Sequence, residues 1–412
     1  MDFGAGFRPV SAKFEDIYGF LKEARATEPV FYAEQFHCWV LTRYDDIRGV
    51  LLDRDHFTTE GVLSGLNDDY GPKTSAVLAD GVDWRKVKHT QNTDGKEHER
   101  NRMFLRSILY PARFRRMEPI VREIVTHSID NMITRGKRCE FVKEFAYPLP
   151  ILTVFRVIGF NEKEEDMERL KLWSDQTFRM WLTPMGDDEQ VVCARDAVSF
   201  QHCIREKMRD RRQTPRDDLM TEALRAVDSG ESDLTDDELV LMFTLSLIGA
   251  GHGTTMAQLT SMMWQLLREP ERWQYVLDHP EHIPDIAEEV IRYDPAALGW
   301  YRFVTKDFEV RGKTLKKGDM VFLAMGSGNR DEEKFSEPES FCPVRPNRVK
   351  ALTFSQGQHF CPGADLARME LRIALEELSK RLPGIRLVPG QEIEYFPSLP
   401  TRGMNRLELE WD

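Results

Sequence analysis

Apolar residues recur at helical spacing along most of this 412-residue chain. The clearest stretches are 17–25, 98–109, 117–135, 162–180, 191–211, 217–227, 236–267 and 365–382, and each predicts a helix with an apolar stripe facing a core. Strand-like alternation is confined to 30–42, 303–323 and 406–411. The pattern therefore predicts a mainly α protein with small β-sheets. No repeat, low-complexity tract or Gly/Ser linker interrupts it, so 1–412 reads as a single domain with no fused second module. The stretch 58–96 is rich in Gly, Asp, Asn and Thr and predicts a long loop with short helices, a class of segment more often functional than idle.

The stretch 236–267 breaks its own rule. Thr235-Asp236-Asp237-Glu238 is a capping box that opens the helix cleanly. Its middle, Gly249-Ala250-Gly251-His252-Gly253-Thr254-Thr255, then places three glycines in a helix interior at a cost of about 3 kcal/mol relative to alanine. Close approach of a flat ligand, close approach of another helix, or a local opening of the helix would each offset that cost. The apolar run from Leu239 to Ala250 is too short for a membrane span and suits a buried helix.

Charge narrows the function. With 69 acidic and 57 basic residues the net charge is −12, which argues against nucleic-acid binding. The start, Met1-Asp2-Phe3-Gly4-Ala5-Gly6-Phe7-Arg8, lacks the basic residues and apolar run of a secretory signal, which predicts a cytoplasmic protein. Cys38, Cys139, Cys193, Cys203, Cys342 and Cys361 show no CxxC spacing, so neither a zinc site nor a disulfide framework is expected. One of them stands apart. Cys361 lies in Phe354-Ser355-Gln356-Gly357-Gln358-His359-Phe360-Cys361-Pro362-Gly363, a glycine-punctuated turn that runs into a helix. Turned backbone can aim N–H groups at a sulfur and favour its thiolate, the form that binds iron. The alternative is a buried, inert thiol ahead of a helix.

These motifs together resemble the soluble bacterial cytochromes P450, over nearly the whole length. Phe354, Gly357, His359, Cys361 and Gly363 match the family's haem-ligand loop, and Leu366-Ala367-Arg368 continues it. Glu289-Val290-Ile291-Arg292 matches the Glu-x-x-Arg pair, and Phe341-Cys342-Pro343-Val344-Arg345 supplies the arginine that completes its triad. The central helix is the fourth motif, and His98-Glu99-Arg100-Asn101-Arg102 resembles the helix that meets the haem propionates. The resemblance implies a triangular helical prism with haem b between the central helix and the cysteine loop. It implies Cys361 as the iron ligand, with His98, Arg102, Arg302 and His359 as cofactor-binding residues. Carboxylate recognition by forked guanidiniums and donating imidazoles agrees with that set.

The resemblance also implies a monooxygenase acting on a hydrophobic small molecule, with Thr254 as the catalytic alcohol. Electrons would come from a separate ferredoxin or flavodoxin with its reductase. Arg100, Arg106, Arg113, Arg115, Arg116 and Arg372 could form its docking face, and no membrane span is expected. Substrate contacts would fall in 58–96, at Phe178-Arg179-Met180-Trp181-Leu182, on the central helix, at Ala297-Leu298-Gly299-Trp300 and at Ser398-Leu399-Pro400-Thr401. Arg179, if it faced inward, could pair with an acidic substrate. One departure stands out: the family's acid before the threonine is here Gly253. Protons would then arrive through water, through His252 or from the substrate, and a structural role for His252 is the stronger reading. The missing acid leaves open a peroxide-driven or nitrogen-oxide chemistry, or a non-catalytic haem sensor or carrier.

Overall fold

The computed structural model describes residues 3–8, 16–62, 70–161, 163–182, 185–345 and 349–412. Their backbone contacts cluster into two compact units, one of 1–58, 121–149 and 254–412, the other of 59–120 and 150–253. Within the 58–96 loop, 63–69 lies outside the described residues.

The first unit holds the sheets. Its five-stranded sheet runs Val30–Ala33, Cys38–Leu41, Met320–Leu323, Trp300–Val304, Phe57–Thr58, antiparallel except where Cys38–Leu41 pairs in parallel with Met320–Leu323. The expected 30–42 strand is thus a hairpin, turned by the short 3-10 segment Glu34–Phe36. Val30, Leu41, Phe57, Val304, Val321 and Leu323 from the sheet pack with Ile47, Val50 and Leu51 of helix Tyr44–Leu52 in one buried cluster. The 303–323 stretch is likewise divided, into Phe308–Val310 and Lys313–Leu315 around Arg311 and Gly312, both at positive φ, and Met320–Leu323. A three-stranded sheet pairs Glu408–Glu410 with Arg138–Glu140 and Arg386–Leu387.

A buried polar joint braces this unit. Arg292 grips Glu289 with two hydrogen bonds of 2.8 and 2.7 Å, Arg345 Nη2 donates to the same carboxylate at 3.0 Å, and the Cys342 N–H adds a fourth at 2.8 Å. The remaining Arg292 donors reach the carbonyls of Asn329, Pro338 and Ser340. Burial by itself would raise the Glu289 carboxyl, but the hydrogen bonds and charges of Arg292 and Arg345 hold it below the usual carboxylate range. The triad foreseen in the sequence therefore exists as a hydrogen-bonded network centred on the Glu289 carboxylate.

The second unit is helical. Helix Met167–Leu182 packs along Asp187–Gln213, and the chain that follows helix Pro72–Leu78 is tied to the latter through Gln201, whose side chain exchanges hydrogen bonds of 2.7 and 3.0 Å with Val82. The capping box at Thr235 is present as expected. Beyond it, the central helix is α over Asp236–Leu241, π over Met242–Gly249 and α again over Ala250–Leu267, leaving this unit at Gly253. The whole run Asp236–Leu267 is long and apolar enough to cross a membrane by length and composition, yet most of its most apolar window is buried inside the protein.

Candidate functional site

The turn that carries Cys361 is fixed by backbone. Ser355 and Gly357 adopt φ of 61° and 72°, and a Cβ on Gly357 would sit 3.0 Å from the Leu51 carbonyl oxygen, so the loop passes too close to its neighbour for a side chain. Backbone bonds from Ser355 to Leu352 at 2.7 Å, Phe360 to Gly357 at 3.2 Å and Cys361 to Phe354 at 2.9 Å close it. Helix Ala364–Arg381 begins three residues after the sulfur-bearing position, and the positive end of a helix favours a nearby anion. His359 ends the 3-10 turn Gly357–His359 two residues before Cys361.

Other cysteines show what the inert alternative looks like. Burial pushes the Cys38 thiol up to about 12 and Cys203 to about 11, and raises Cys139 and Cys193 as well. Such sulfurs stay protonated. Cys361 is half-buried, as Cys203 and Cys342 are, but it lies on a glycine-punctuated polar turn.

Two further candidates lie in the first unit. Arg302 projects from strand Trp300–Val304 opposite Val321, is only 5% exposed, and donates to the Tyr301 carbonyl at 2.7 Å. Thr254 is half-buried on the central helix. His98 and Arg102 belong to the second unit. They sit one turn apart on helix Gly95–Ile108, buried at 1% and 8% exposure, while Glu99, Met103 and Arg106 of the same helix are exposed. As chemistry, a thiolate-forming sulfur suits iron, and guanidiniums and imidazoles suit carboxylates such as haem propionates, for the residues of each unit taken by themselves.

The central helix resolves the glycine problem residue by residue. A Cβ at Gly251 would meet Val154 Cγ2 at 3.0 Å, so close packing on helix Pro148–Ile158 requires that glycine. At Gly249 it would meet the helix's own Thr244 carbonyl at 3.1 Å, a consequence of the π turn. At Gly253 it would make only ordinary contact, 3.7 Å from Phe178, so packing does not exclude a side chain there. His252 turns toward helix Met167–Leu182: Nδ1 lies 2.8 Å from the Ile248 carbonyl and Nε2 3.3 Å from Asp175 Oδ1. That is the structural role preferred from the sequence.

Two expectations need correction. Arg179 pairs with Glu189 and donates to Gln176 at 2.9 Å, so its charge is already committed rather than held for an acidic substrate. Arg100, Arg113 and Arg372 are matched by Glu238, Glu222 and Glu376, which leaves Arg106, Arg115 and Arg116 as the exposed remainder of the basic set. Sequence reading missed the polar cluster of His89, Thr90, Gln91 and Ser246, whose only advance signal was a hydroxyl within an apolar helix.

Comparison with known proteins places these features in a family. The sequence matches cytochrome P450 over residues 26–277 and 283–382. It is 30% identical to the mycinamicin IV hydroxylase/epoxidase of Micromonospora griseorubida over 98% of this chain and 99% of that one. It is also 30% identical to the nocardicin C N-oxygenase of Nocardia uniformis subsp. tsuyamanensis, over 96% of each chain. Among solved structures, the haem domain of a Tepidiphilus thermophilus P450 superposes with a TM-score of 0.91 at 28% identity, covering 100% of this chain and 97% of that one. Proteins of this family bind haem b through a cysteine thiolate, act on small molecules and draw on a redox partner. With the Glu-Arg-Arg joint, the thiolate-type turn and a mainly helical fold in place, the chain belongs to the cytochrome P450 family of haem-thiolate monooxygenases.

Proposed function

We propose that this P450 oxidises a hydrophobic organic substrate with dioxygen, using electrons from a separate ferredoxin or flavodoxin, with Cys361 as the iron ligand. The observation that carries this reading is the Cys361 turn, closed by backbone hydrogen bonds and running straight into a helix. Bound haem supplies the reductive activation of dioxygen. The chain's own residues do the rest. Arg302 and His359, with His98 and Arg102, hold the propionates. Thr254 carries a hydroxyl proton on the central helix, and with Gly253 beside it that proton is renewed through water rather than a neighbouring carboxylate. Arg106, Arg115 and Arg116 offer a cationic surface to an acidic redox protein. We place the protein in the cytoplasm and treat 1–412 as one haem-binding domain. The oxygenase names of the relatives lend no support to peroxide-driven, nitrogen-oxide or sensor readings.

The test is turnover of the haem-loaded protein with NADH, a surrogate ferredoxin or flavodoxin system and a panel of terpenoid, steroid, fatty and aromatic compounds. Oxygenated product that depends on the electron carrier supports the reading. NADH consumption without product from any member, or product only when peroxide replaces the carrier, overturns it.

A further inference from the structure

Three polar groups in the second unit converge on one amide oxygen. Ser246 Oγ donates to Gln91 Oε1 at 2.9 Å, Thr90 Oγ1 donates to it at 3.1 Å, and His89 Nδ1 lies 2.9 Å away. The two hydroxyl oxygens are themselves 3.1 Å apart. His89 is buried, and that burial pushes its imidazole down to about 4, so the ring is neutral, with Nδ1 facing the amide oxygen. Convergence of this kind orients the amide. Gln91 Nε2, with two N–H donors, takes no part in these contacts, and among the described residues it donates to none.

The cluster adjoins an exposed position of the central helix. Ser246, Ala250 and Thr254 share one stripe of the central helix, and Ala250 is exposed although Leu247, Ile248 and Gly249 are buried. Gln91 is half-buried and bound to the first residue of that stripe. Of the charged groups in that segment, Arg85 is spent bidentately on Asp83 at 2.9 and 2.8 Å, Lys86 lies 3.4 Å from the same carboxylate, Lys88 is exposed, and His89 is neutral.

We propose that Gln91 Nε2 is the polar anchor of the substrate site and that it selects a neutral oxygen, such as a ketone, ester or lactone carbonyl, on an otherwise hydrophobic substrate. This rests on the monooxygenase reading, which gives Thr254 its role on the central helix and so puts the stripe that it shares with Ala250 on the side that meets substrate. A pair of amide N–H donors satisfies a carbonyl, whereas a carboxylate there would lose its hydration without gaining a counter-ion. A plain hydrocarbon would leave the amide unsatisfied.

The experiment is spectral titration and calorimetry of the ferric, haem-loaded protein with three matched sets. These are cyclopentadecanone, cyclopentadecane and pentadecanoic acid; menthone, menthane and menthane carboxylic acid; propiophenone, propylbenzene and phenylpropanoic acid. We expect a ketone to bind roughly ten-fold tighter than its hydrocarbon and its acid in at least one set. Gln91→Leu removes that preference without weakening the hydrocarbon, and Ser246→Ala, which loosens the amide's orientation, reduces it by roughly three-fold. Gln91→Met serves the same purpose should the leucine variant lose its reduced carbon-monoxide spectrum. A preference that persists in both Gln91 variants overturns the proposal, as do ketones binding no better than hydrocarbons or acids, or no ketone binding at all. Because the titrations need no reductant, ketone selectivity without turnover would count against the monooxygenase reading alone.

Discussion

The Cys361 turn and the centre of the central helix both depart from regular structure, in opposite ways. Around Cys361 every departure is locked: positive φ at Ser355 and Gly357, a carbonyl within 3.0 Å of where a side chain would begin, and backbone bonds across the loop. Around Gly253 the departures are loose: a π turn over Met242–Gly249, an exposed Ala250 and a glycine whose Cβ would clash with nothing. A metal ligand has to be held at one position and orientation, which suits overdetermined backbone. A helix that must admit oxygen, water and substrate is better served by a turn that can open.

The contrast can be broken, starting where the effect is largest. Cys361→Ser should abolish the strongly red-shifted Soret band of the reduced carbon-monoxide complex, because an alcohol does not replace a thiolate; retention of that band would end the assignment. Glu289→Ala should destabilise the protein by about 3–5 kcal/mol, since Arg292 and Arg345 would remain as buried charges without their partner. Urea unfolding measures that loss, and a change within error of zero would show that the joint is not structural.

Acid should act on the same joint. The Glu289 carboxyl is held below its ordinary value in the folded protein, so its contribution to stability is complete above its unfolded pKa of about 4.3 and disappears as pH falls through the folded value. Glu289→Gln should flatten the stability–pH profile over that acidic window, as followed by urea midpoints. Smaller again, Gly357→Ala should cost about 1–3 kcal/mol, from its positive φ and the Leu51 carbonyl. Gly253→Ala, on the loose side, should instead raise stability by up to about 1 kcal/mol, whereas Gly251→Ala loses that gain against Val154. Thermal melts of the pair decide it, and equal shifts would remove the distinction between the two glycines.

The haem-loop motif, the Glu289–Arg292–Arg345 joint and the capping box at Thr235 were legible because each is a local spacing, readable from residue type and order. The helices with long apolar stripes were legible for the same reason. Short pieces were not. Phe57–Thr58 and Arg138–Glu140 carry too few residues for an alternating pattern, and they become strands only because Val304 and Glu408 lie beside them. Helix Pro148–Ile158 was missed as well, its start masked by Pro148 and Pro150. The three central glycines looked alike in sequence and proved to have separate causes.

By itself, then, the chain's order of residues determined a mainly helical haem-thiolate protein, the turn that presents Cys361 and the absence of an acid at position 253. Only tertiary structure decided that Arg179 is spent on Glu189, that His252 reaches Asp175 and that Ser246 reaches Gln91. Those contacts join residues distant in sequence or on separate helices. No spacing rule encodes them, because what brings the partners together is the packing of apolar surfaces elsewhere in the fold.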